Sequence, residues 1–485
     1  MFKKTLVITF LLALIFGAFS VAVRPSAAAG PQTYLVVFDG TQNADGTFSM
    51  TATLAQALTL LQSAGGTVKA DLSGQIGVFI VQSENALFAT IVQGSGLVEV
   101  VGRDYGWKAF QTLDEALQAG AVVDLDSADG LEGLQWSMDQ INAPAAHALQ
   151  TGVRAVDVGI LDTGIEGTHI EFDDDGVPGG STNVDCARGR DFVAFGPGIG
   201  SPDPCIDNGF HGTHVAGIVA AQDNGIGITG VAPNVTLVPV KVCDTAGYCY
   251  ASAVVAGITY AGDIRLDVIN MSFFVDDDEL LASTEFKCSN DPTQRAFRRS
   301  VERALGYARQ RGVAPVAALG NSDVDLANPP EGNDCEVIPA ESAGVIGTMS
   351  LGPLLQKARY SNYGFGPTDV AAPGGSGTTG DCTTTVLSAF PGNSYGCIQG
   401  TSMASPHVAG VAALIVSQFG VLRPDGDVKL SPGTVQSNLQ STAVDLGLVG
   451  YDMCFGHGRV DALRAVLHDT SSLSQANPFC PEYSE

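Results

Sequence analysis

Positive charge is scarce in this chain, because 24 Lys and Arg residues stand against 51 Asp and Glu residues and leave a formal net charge of −27 at pH 7. Phosphate groups repel such a polyanion, which argues against nucleic acid as a partner. Long hydrophobic runs are equally scarce, since only residues 6–23 approach the length of a membrane span. We therefore expect no stable membrane association once this run is removed.

The N-terminus has the layout of an export signal. A short basic start, Met-Phe-Lys-Lys, precedes the apolar run, and small residues follow at 26–30. We predict a signal peptide over residues 1–29, cleavage near Ala29 and a secreted, extracellular protein. The run is slightly long for a signal peptide, so an uncleaved anchor is the alternative.

Cysteine is absent before Cys186, and none of the ten cysteines has the close paired spacing of a zinc site. An even number in an exported chain predicts disulfides. The sequence does not determine their connectivity, but short loops close most easily. Neighbour pairing in chain order gives Cys186–Cys205, Cys243–Cys249, Cys288–Cys335, Cys382–Cys397 and Cys454–Cys480.

The length of 485 residues predicts more than one folding unit. Residues 30–106 have the pattern of a small α+β domain with the order β-α-β-α-β, and residues 107–130 have the composition of a linker or processing region. Over residues 131–467 short buried strands alternate with helices, which predicts an α/β domain with a mostly parallel sheet between helices. Residues 468–485 are predicted to form a polar tail.

Three segments of the α/β region carry residues suited to nucleophilic catalysis. They are 159–164 (Gly-Ile-Leu-Asp-Thr-Gly), 208–217 (Asn-Gly-Phe-His-Gly-Thr-His-Val-Ala-Gly) and 400–410 (Gly-Thr-Ser-Met-Ala-Ser-Pro-His-Val-Ala-Gly). Alone, Asp162 suits a turn, His211 a structural role and Ser402 a helix N-cap. Together they supply the hydroxyl, the base and the orienting carboxylate that serine catalysis needs.

A metal site is the alternative interpretation of His211 and His214. Their spacing lacks the intervening Glu of the zinc-protease helix, and the sequence offers no evident third ligand. Acidic runs at 173–175 and 276–279 are interpreted as solvated loops, with calcium ligation as the alternative.

The three segments closely resemble the subtilisin-like serine protease family. Four further stretches match it: 140–145 (Gln-Ile-Asn-Ala-Pro-Ala), 224–233 (Asn-Gly-Ile-Gly-Ile-Thr-Gly-Val-Ala-Pro), 369–374 (Asp-Val-Ala-Ala-Pro-Gly) and 456–462 (Gly-His-Gly-Arg-Val-Asp-Ala). The resemblance implies a three-layer subtilisin-like fold and a serine endopeptidase that acts on proteins or peptides as a monomer. It implies no cofactor for the chemistry.

By this resemblance Asp162 orients His211, His211 acts as general base and then acid, and Ser402 attacks the scissile carbonyl. Asn321, in Ala-Leu-Gly-Asn at 318–321, matches the oxyanion-hole asparagine. The substrate-binding segment implied by the resemblance includes Gly320 and Ser272. It continues with Phe273 and Phe274, where the family usually has a small residue and glycines. Substrate specificity is therefore expected to depart from the family pattern here.

The resemblance has two further implications outside the catalytic residues. The N-terminal α+β unit resembles the family's inhibitory propeptide, whose last strand occupies the cleft until it is cut, here between about Tyr105 and Glu132. Glu171 and Asn224 match ligands of a structural calcium site, and the alternative is an exposed Glu and a turn-forming Asn.

The sequence leaves alternatives for the activity. A catalytically silent relative that binds peptides near Phe273 and Phe274 is one of them. Among active enzymes, a narrow processing protease and a broad degradative one share the same chemistry and differ only in substrate.

Overall fold

The computed structural model describes residues 30–123, 130–174, 176, 181–195, 200–274, 288–424, 426, 428–475 and 480. The predicted signal peptide, the acidic run at 276–279 and the end of the tail lie outside the described residues. Of the other acidic run, Asp173 is buried and Asp174 pairs with Arg154, while residue 175 is also outside this set.

The N-terminal unit is a four-stranded antiparallel sheet with the helices at 54–63 and 88–93 packed on one face. Its strand order is β4-β5-β1-β6. The order β-α-β-α-β predicted from apolar runs omitted β4, because β4 is an edge strand whose residues alternate between half-buried and exposed. The elements are β1 Gln32–Phe38, β2 Gly40–Gln42, β3 Phe48–Met50, α1 Leu54–Ser63, β4 Gly66–Leu72, α2 Ser73–Ile76, β5 Val78–Ser83, α3 Phe88–Gln93 and β6 Val98–Arg103.

The segment predicted to be a linker has secondary structure of its own. Within its described residues it contains β7 Gly106–Lys108, α4 Leu113–Gln118 and β8 Val122–Val123. Its alanines and acidic residues indicated low specificity, but Thr112 and Glu115 form a reciprocal capping box that begins α4.

The second unit is a seven-stranded parallel sheet in the order β10-β11-β9-β13-β14-β15-β16, as predicted for this α/β region. Its elements are α5 Trp136–Gln140, α6 Ala143–His147, β9 Asp157–Asp162, β10 Arg190–Asp191, α7 His211–Ala220, β11 Thr236–Lys241, β12 Tyr248–Tyr250, α8 Ala251–Asp263, β13 Val268–Met271, α9 Pro292–Gln310, β14 Ala314–Ala318, β15 Ile346–Leu351, β16 Val370–Pro373, β17 Val386–Phe390, β18 Ser394–Ile398, α10 Thr401–Phe419, β19 Val421–Leu422, β20 Val428–Lys429, α11 Pro432–Thr442, β21 Asp445–Leu446, α12 Ala462–Leu467 and β22 Ser474–Gln475.

Helices cover both faces of the parallel sheet. Val158 and Ile160 of β9 pack in one core with α7 and α10, whereas Leu161 packs in the opposite core with α8 and α9. This alternation along a fully buried strand produces the predicted three-layer architecture. Among the described residues, α10 is the one helix whose length and composition would suffice to cross a membrane, but most of it is buried inside the fold.

The N-terminal unit docks on α8 and α9 through apolar residues such as Val37, Val78 and Val100, and polar contacts add to this packing. Arg303 of α9 pairs with Glu99 at 2.6 Å and donates to the carbonyl oxygens of Phe38 (3.0 Å) and Ile76 (3.1 Å). Asp104 accepts hydrogen bonds from the backbone N–H (2.8 Å) and hydroxyl (2.6 Å) of Ser252 at the start of α8. Arg303 and Ser252 of the second unit thereby satisfy backbone and side-chain groups of the first.

Five disulfides join the cysteines in the predicted chain order. They are Cys186–Cys205, Cys243–Cys249, Cys288–Cys335, Cys382–Cys397 and Cys454–Cys480. All of them lie in the second unit or its tail, so the N-terminal unit depends on noncovalent contacts alone.

Candidate active site

Asp162 lies at the carboxyl end of β9, near the middle of the parallel sheet, where α/β proteins commonly place their sites. Its side chain is buried and accepts a hydrogen bond from the Thr163 N–H (2.8 Å). His211 is the first residue of α7, and its Nδ1 lies 2.9 and 3.0 Å from the two carboxylate oxygens of Asp162. A buried carboxylate at this distance fixes the orientation of the imidazole and leaves Nε2 for proton transfer.

A second buried carboxylate, Asp207, joins the loops that carry Asp162 and His211. It accepts hydrogen bonds from the hydroxyls of Thr163 (2.9 Å) and Thr213 (2.7 Å) and from three backbone N–H groups of residues 209, 210 and 213. Both hydroxyls also accept backbone N–H groups, Thr163 from Gly212 and Thr213 from Glu166, so their protons are directed to Asp207. Burial raises the pKa of Asp207, while these hydrogen bonds oppose the rise.

The backbone before His211 is held in an unfavourable conformation. Phe210 has φ +81°, in a region that bulky residues rarely adopt. Its N–H donates to Asp207 (3.0 Å), and its ring stacks on Phe390 with centroids 4.8 Å apart. The hydrogen bond from the Phe210 N–H and the stacking of its ring stabilise the turn that positions His211.

Ser402 is the second residue of α10 and follows Gly400, whose φ of +152° favours glycine. The Ser402 hydroxyl donates to the Ser272 carbonyl at 2.8 Å, and the Ser272 hydroxyl donates to the Ser402 carbonyl at 2.8 Å. The start of this long helix presents backbone N–H groups, which favour negative charge beside Ser402.

Asn321 follows β14 and lines the same cleft as His211 and Ser402. Its Oδ1 accepts hydrogen bonds from the N–H and hydroxyl of Thr401, both at 2.9 Å. With Oδ1 engaged there, Nδ2 is the group of this amide that can donate to an oxyanion. The Thr401 hydroxyl also accepts from the N–H of Gly320 (3.2 Å), which joins this predicted substrate-binding residue to the same corner.

The molecule's own chain occupies this cleft. β7 pairs antiparallel with β12, and the N–H of Ala109 extends the pairing to the Gly247 carbonyl at 2.8 Å. Phe110 then stacks on the His211 ring, with centroids 3.6 Å apart and an angle of 21° between the planes. Ala109, Phe110 and Gln111 line the cleft together with Asn321 and Ser402.

Phe273 and Phe274 are both buried and belong to the same hydrophobic core as Phe110. The Trp107 ring of β7 contacts Phe273 (6.3 Å between centroids) and Phe297 of α9 (5.3 Å). The phenylalanine at 273 therefore forms part of an aromatic surface that receives an aromatic side chain from the bound strand.

The two predicted calcium ligands have protein partners in the described chain. Glu171 is buried, which contradicts the alternative of an exposed Glu, and it accepts hydrogen bonds from the Tyr395 hydroxyl and the Ile228 N–H. Asn224 donates to the carbonyl oxygens of Ile170 (3.1 Å) and Asp173 (2.9 Å). Burial raises the pKa of Glu171 to about 8.

This arrangement does not fit a cation as it stands. Calcium requires a shell of oxygen acceptors, and here donors face the Glu171 carboxylate. No group of three or more His, Cys, Asp or Glu side chains in the described part of the chain could hold a metal ion. We therefore derive no function from calcium.

His214 does not join His211 in a metal pair. Its Nε2 lies 3.2 and 3.1 Å from the carbonyl oxygens of Val386 and Gly396, so it ties α7 to β17 and β18. Burial lowers its pKa to about 3, which keeps the ring neutral.

Sequence reasoning missed Asp207 and Phe110. Asp207 lies only four residues before His211, and its proximity to that motif was an available signal. Phe110 carried no signal, because its role depends on a strand pairing between residues about 140 positions apart.

The sequence profile of the subtilase family, Peptidase_S8, matches residues 154–458, which include all the candidate catalytic residues. The chain therefore belongs to the subtilase family and is a serine endopeptidase, and membership of this family implies protein or peptide substrates.

Individual relatives agree with this assignment. The chain is 37% identical to subtilisin DY of Bacillus licheniformis over 292 residues, which cover 60% of this chain and 85% of the relative. It is 32% identical to subtilisin Savinase of Lederbergia lenta over 331 residues, which cover 68% of this chain and 98% of the relative.

Two solved structures share the fold. The epidermin leader peptide processing serine protease EpiP of Staphylococcus aureus has a TM-score of 0.66 at 20% identity and covers 90% of this chain and 98% of its own. A lanthipeptide protease has a TM-score of 0.56 at 24% identity and covers 71% and 99% respectively.

Proposed function

We propose that this chain is a secreted serine endopeptidase, made as a self-processing precursor, that uses Asp162, His211 and Ser402 as its catalytic triad. The observation that carries the proposal is the buried Asp162–His211 pair (2.9 Å), whose His211 lines one cleft with Ser402. In this mechanism the Ser402 hydroxyl turns from the Ser272 carbonyl toward His211, which takes its proton as Ser402 attacks the scissile carbonyl. His211 then protonates the leaving amine, and water hydrolyses the acyl-enzyme.

The oxyanion of the tetrahedral intermediate is stabilised by the Asn321 amide and the Ser402 N–H. The Thr401 contacts that hold Asn321 support this role, because the donor is oriented before the charge develops. Loss of one such donor is expected to cost about 3–4 kcal/mol in the transition state.

Residues 30–106 act as the inhibitory propeptide, followed by the processing region, the catalytic domain at 131–467 and the C-terminal tail. The antiparallel pairing of β7 with β12 and the contact of Phe110 with His211 support self-inhibition, since the chain fills the cleft of its own enzyme. They also support self-cleavage close to Phe110, inside the predicted interval. Five disulfides support export to an oxidising compartment, where the enzyme acts as a monomer after signal removal.

The aromatic wall favours a narrow processing protease over a broad degradative one. Phe273 and Phe297 receive Trp107 from the bound strand, so a substrate with an aromatic residue at the corresponding position gains contacts that other peptides lack. A peptide-library cleavage profile tests this preference, and scattered cuts in casein would contradict it.

A fluorophosphonate probe that labels catalytic serines tests the activity itself. We expect the mature protein to be labelled and to hydrolyse peptides, and the Ser402→Ala precursor to remain uncut and unlabelled when expressed alone. Ser417→Ala is the matched control, because Ser417 lies on the same helix but does not line the cleft, and its hydroxyl donates to the Ala413 carbonyl and accepts from the Val153 N–H. Normal maturation of Ser402→Ala would exclude self-processing, and absence of labelling in wild type would favour a silent peptide-binding relative.

A further inference from the structure

The segment after the proposed cleavage point is also seated on the enzyme. Residues 112–123, which we call the strap, contain α4 and β8 and follow directly on Gln111 in the cleft. Because β7 enters before Phe110 and the strap continues beyond it, the strap lies on the side of the cleft that receives the leaving group of a substrate.

Apolar packing anchors the strap next to the catalytic residues. Ala116 and Ala121 are buried in one cluster with Phe210 and Phe390. Phe210 is the residue before His211. Leu113 and Val122 of the strap and Ile398 of β18 pack at the edge of the cluster.

Backbone pairing adds a second anchor. Val122 and Val123 pair antiparallel with Gly396 and Tyr395 of β18, and the Cys397 N–H donates to the Ala121 carbonyl at 2.9 Å. β18 ends four residues before Ser402. The strap thus adds a strand to the element that leads into the proposed nucleophile, a mode in which main-chain hydrogen bonds provide much of the affinity.

We propose that the strap remains seated after the first self-cleavage and blocks the leaving-group side until a second cut beyond Val123 removes it. The proposal rests on the proposed protease function. Each cut is the hydrolysis of one peptide bond by one water molecule, which yields a carboxylate and an amine. After a first cut near Phe110, the N-terminal unit becomes a separate molecule that dilution can remove.

The strap differs from the N-terminal unit because, after this first cut, it forms the N-terminus of the catalytic product and stays covalently attached. Its local concentration at β18 does not fall on dilution, since a short covalent connection keeps the effective concentration of a tethered segment high. The once-cut enzyme is therefore expected to accept substrates that end at the scissile bond and to exclude substrates that extend beyond it.

Two substrates that share the same residues before the scissile bond test this inference. One ends in p-nitroanilide, and the other is an internally quenched peptide with six residues after the bond. Maturation of wild type is followed by mass spectrometry, and the once-cut and twice-cut forms are separated from the N-terminal unit by ion exchange. We expect the ratio of kcat/KM for the long to the short substrate to be at least tenfold lower in the once-cut form.

Ala121→Glu places a charge in the buried cluster of the strap, and we expect it to remove this difference. Leu117→Glu is the matched control, because Leu117 belongs to the same strap but is 47% exposed, and it should behave as wild type. If Ala121→Glu fails to mature, the comparison of the once-cut and twice-cut forms of wild type decides the question alone.

Equal ratios in the two forms, identical behaviour of the two variants, or a single cut beyond Val123 without an intermediate would overturn the proposal. A chain that neither cuts itself nor hydrolyses the short substrate would instead contradict the proposed function.

Discussion

The N-terminal unit and the catalytic unit are stabilised in different ways. The catalytic unit has two apolar cores on either side of a parallel sheet and contains or anchors all five disulfides. The N-terminal unit has a small core of its own and docks on α8 and α9 through a second, apolar face that includes Val37 and Val100. Contacts of Arg303, Glu99 and Asp104 add to this docking. The polar part of this interface is sensitive to pH and substitution, which suits a unit that is removed, whereas the disulfides suit a unit that persists.

Asp162→Asn should have the largest effect and should leave the docking of the two units intact. Asn cannot fix the imidazole tautomer as the carboxylate does, so kcat is expected to fall by about 10⁴. Peptide hydrolysis by mature enzyme measures the loss. Thermal unfolding of the Ser402→Ala precursor, with and without Asp162→Asn, shows whether the fold is retained, and a loss of less than tenfold in kcat would contradict the role of Asp162.

Arg303→Ala should destabilise the precursor much more than the mature enzyme. It removes one of the two arginine partners of Glu99 and the donor to two buried carbonyl groups, and each buried polar group left unsatisfied costs about 1–3 kcal/mol. Arg299→Ala is the control, because Arg299 also pairs with Glu99 but its side chain is 51% exposed, and an exposed pair contributes about 0–1 kcal/mol. Denaturant unfolding in the Ser402→Ala background measures both; equal effects would contradict the docking role of Arg303.

Docking of the N-terminal unit should weaken as the pH rises through about 6. Burial raises the pKa of Asp104 to about 6 from its ordinary value of 3.8, although hydrogen bonds from Ser252 oppose the rise. The docked state thus holds the proton of Asp104 more tightly than the released state. The contribution of this proton to the free energy of docking is fully present below pH 3.8 and is lost as the pH rises through about 6. At about 1.4 kcal/mol per pKa unit, it amounts to about 3 kcal/mol at most.

Asp104→Asn isolates this contribution, because Asn carries no charge at any pH. In the Ser402→Ala precursor, the stability of wild type relative to Asp104→Asn should fall between pH 4 and pH 7. A difference that stays constant over this range would show that Asp104 does not titrate on docking.

The smallest effect should come from the aromatic contact across the two units. In a peptide with the sequence of residues 105–112, replacement of the residue corresponding to Trp107 by Ala should lower kcat/KM about tenfold, since aromatic pairs contribute about 0.5–1.5 kcal/mol each. Replacement of the residue corresponding to Lys108, which is exposed in β7, is the control. Equal rates for the three peptides would favour broad specificity.

Local patterns predicted the elements around the site well. The strand that ends at Asp162, the helix that begins at His211 and the helix that contains Ser402 were all evident from apolar runs bounded by glycine and polar residues. The order of disulfide pairing also followed from loop length. In contrast, β4 was missed because an exposed edge strand has no apolar run, and α4 was missed because its short capping box lies in a stretch of low complexity.

The amino-acid sequence by itself determined the family, the α/β class and the chemistry, because these depend on residue types at fixed local spacing. Only the tertiary structure decided which residues fill the cleft. Phe110 meets His211, the strap meets β18 and Asp207 links two loops through contacts between residues far apart or in irregular segments. Such contacts depend on how the two units pack and on strand pairing across the cleft, and neither leaves a periodic pattern in the chain.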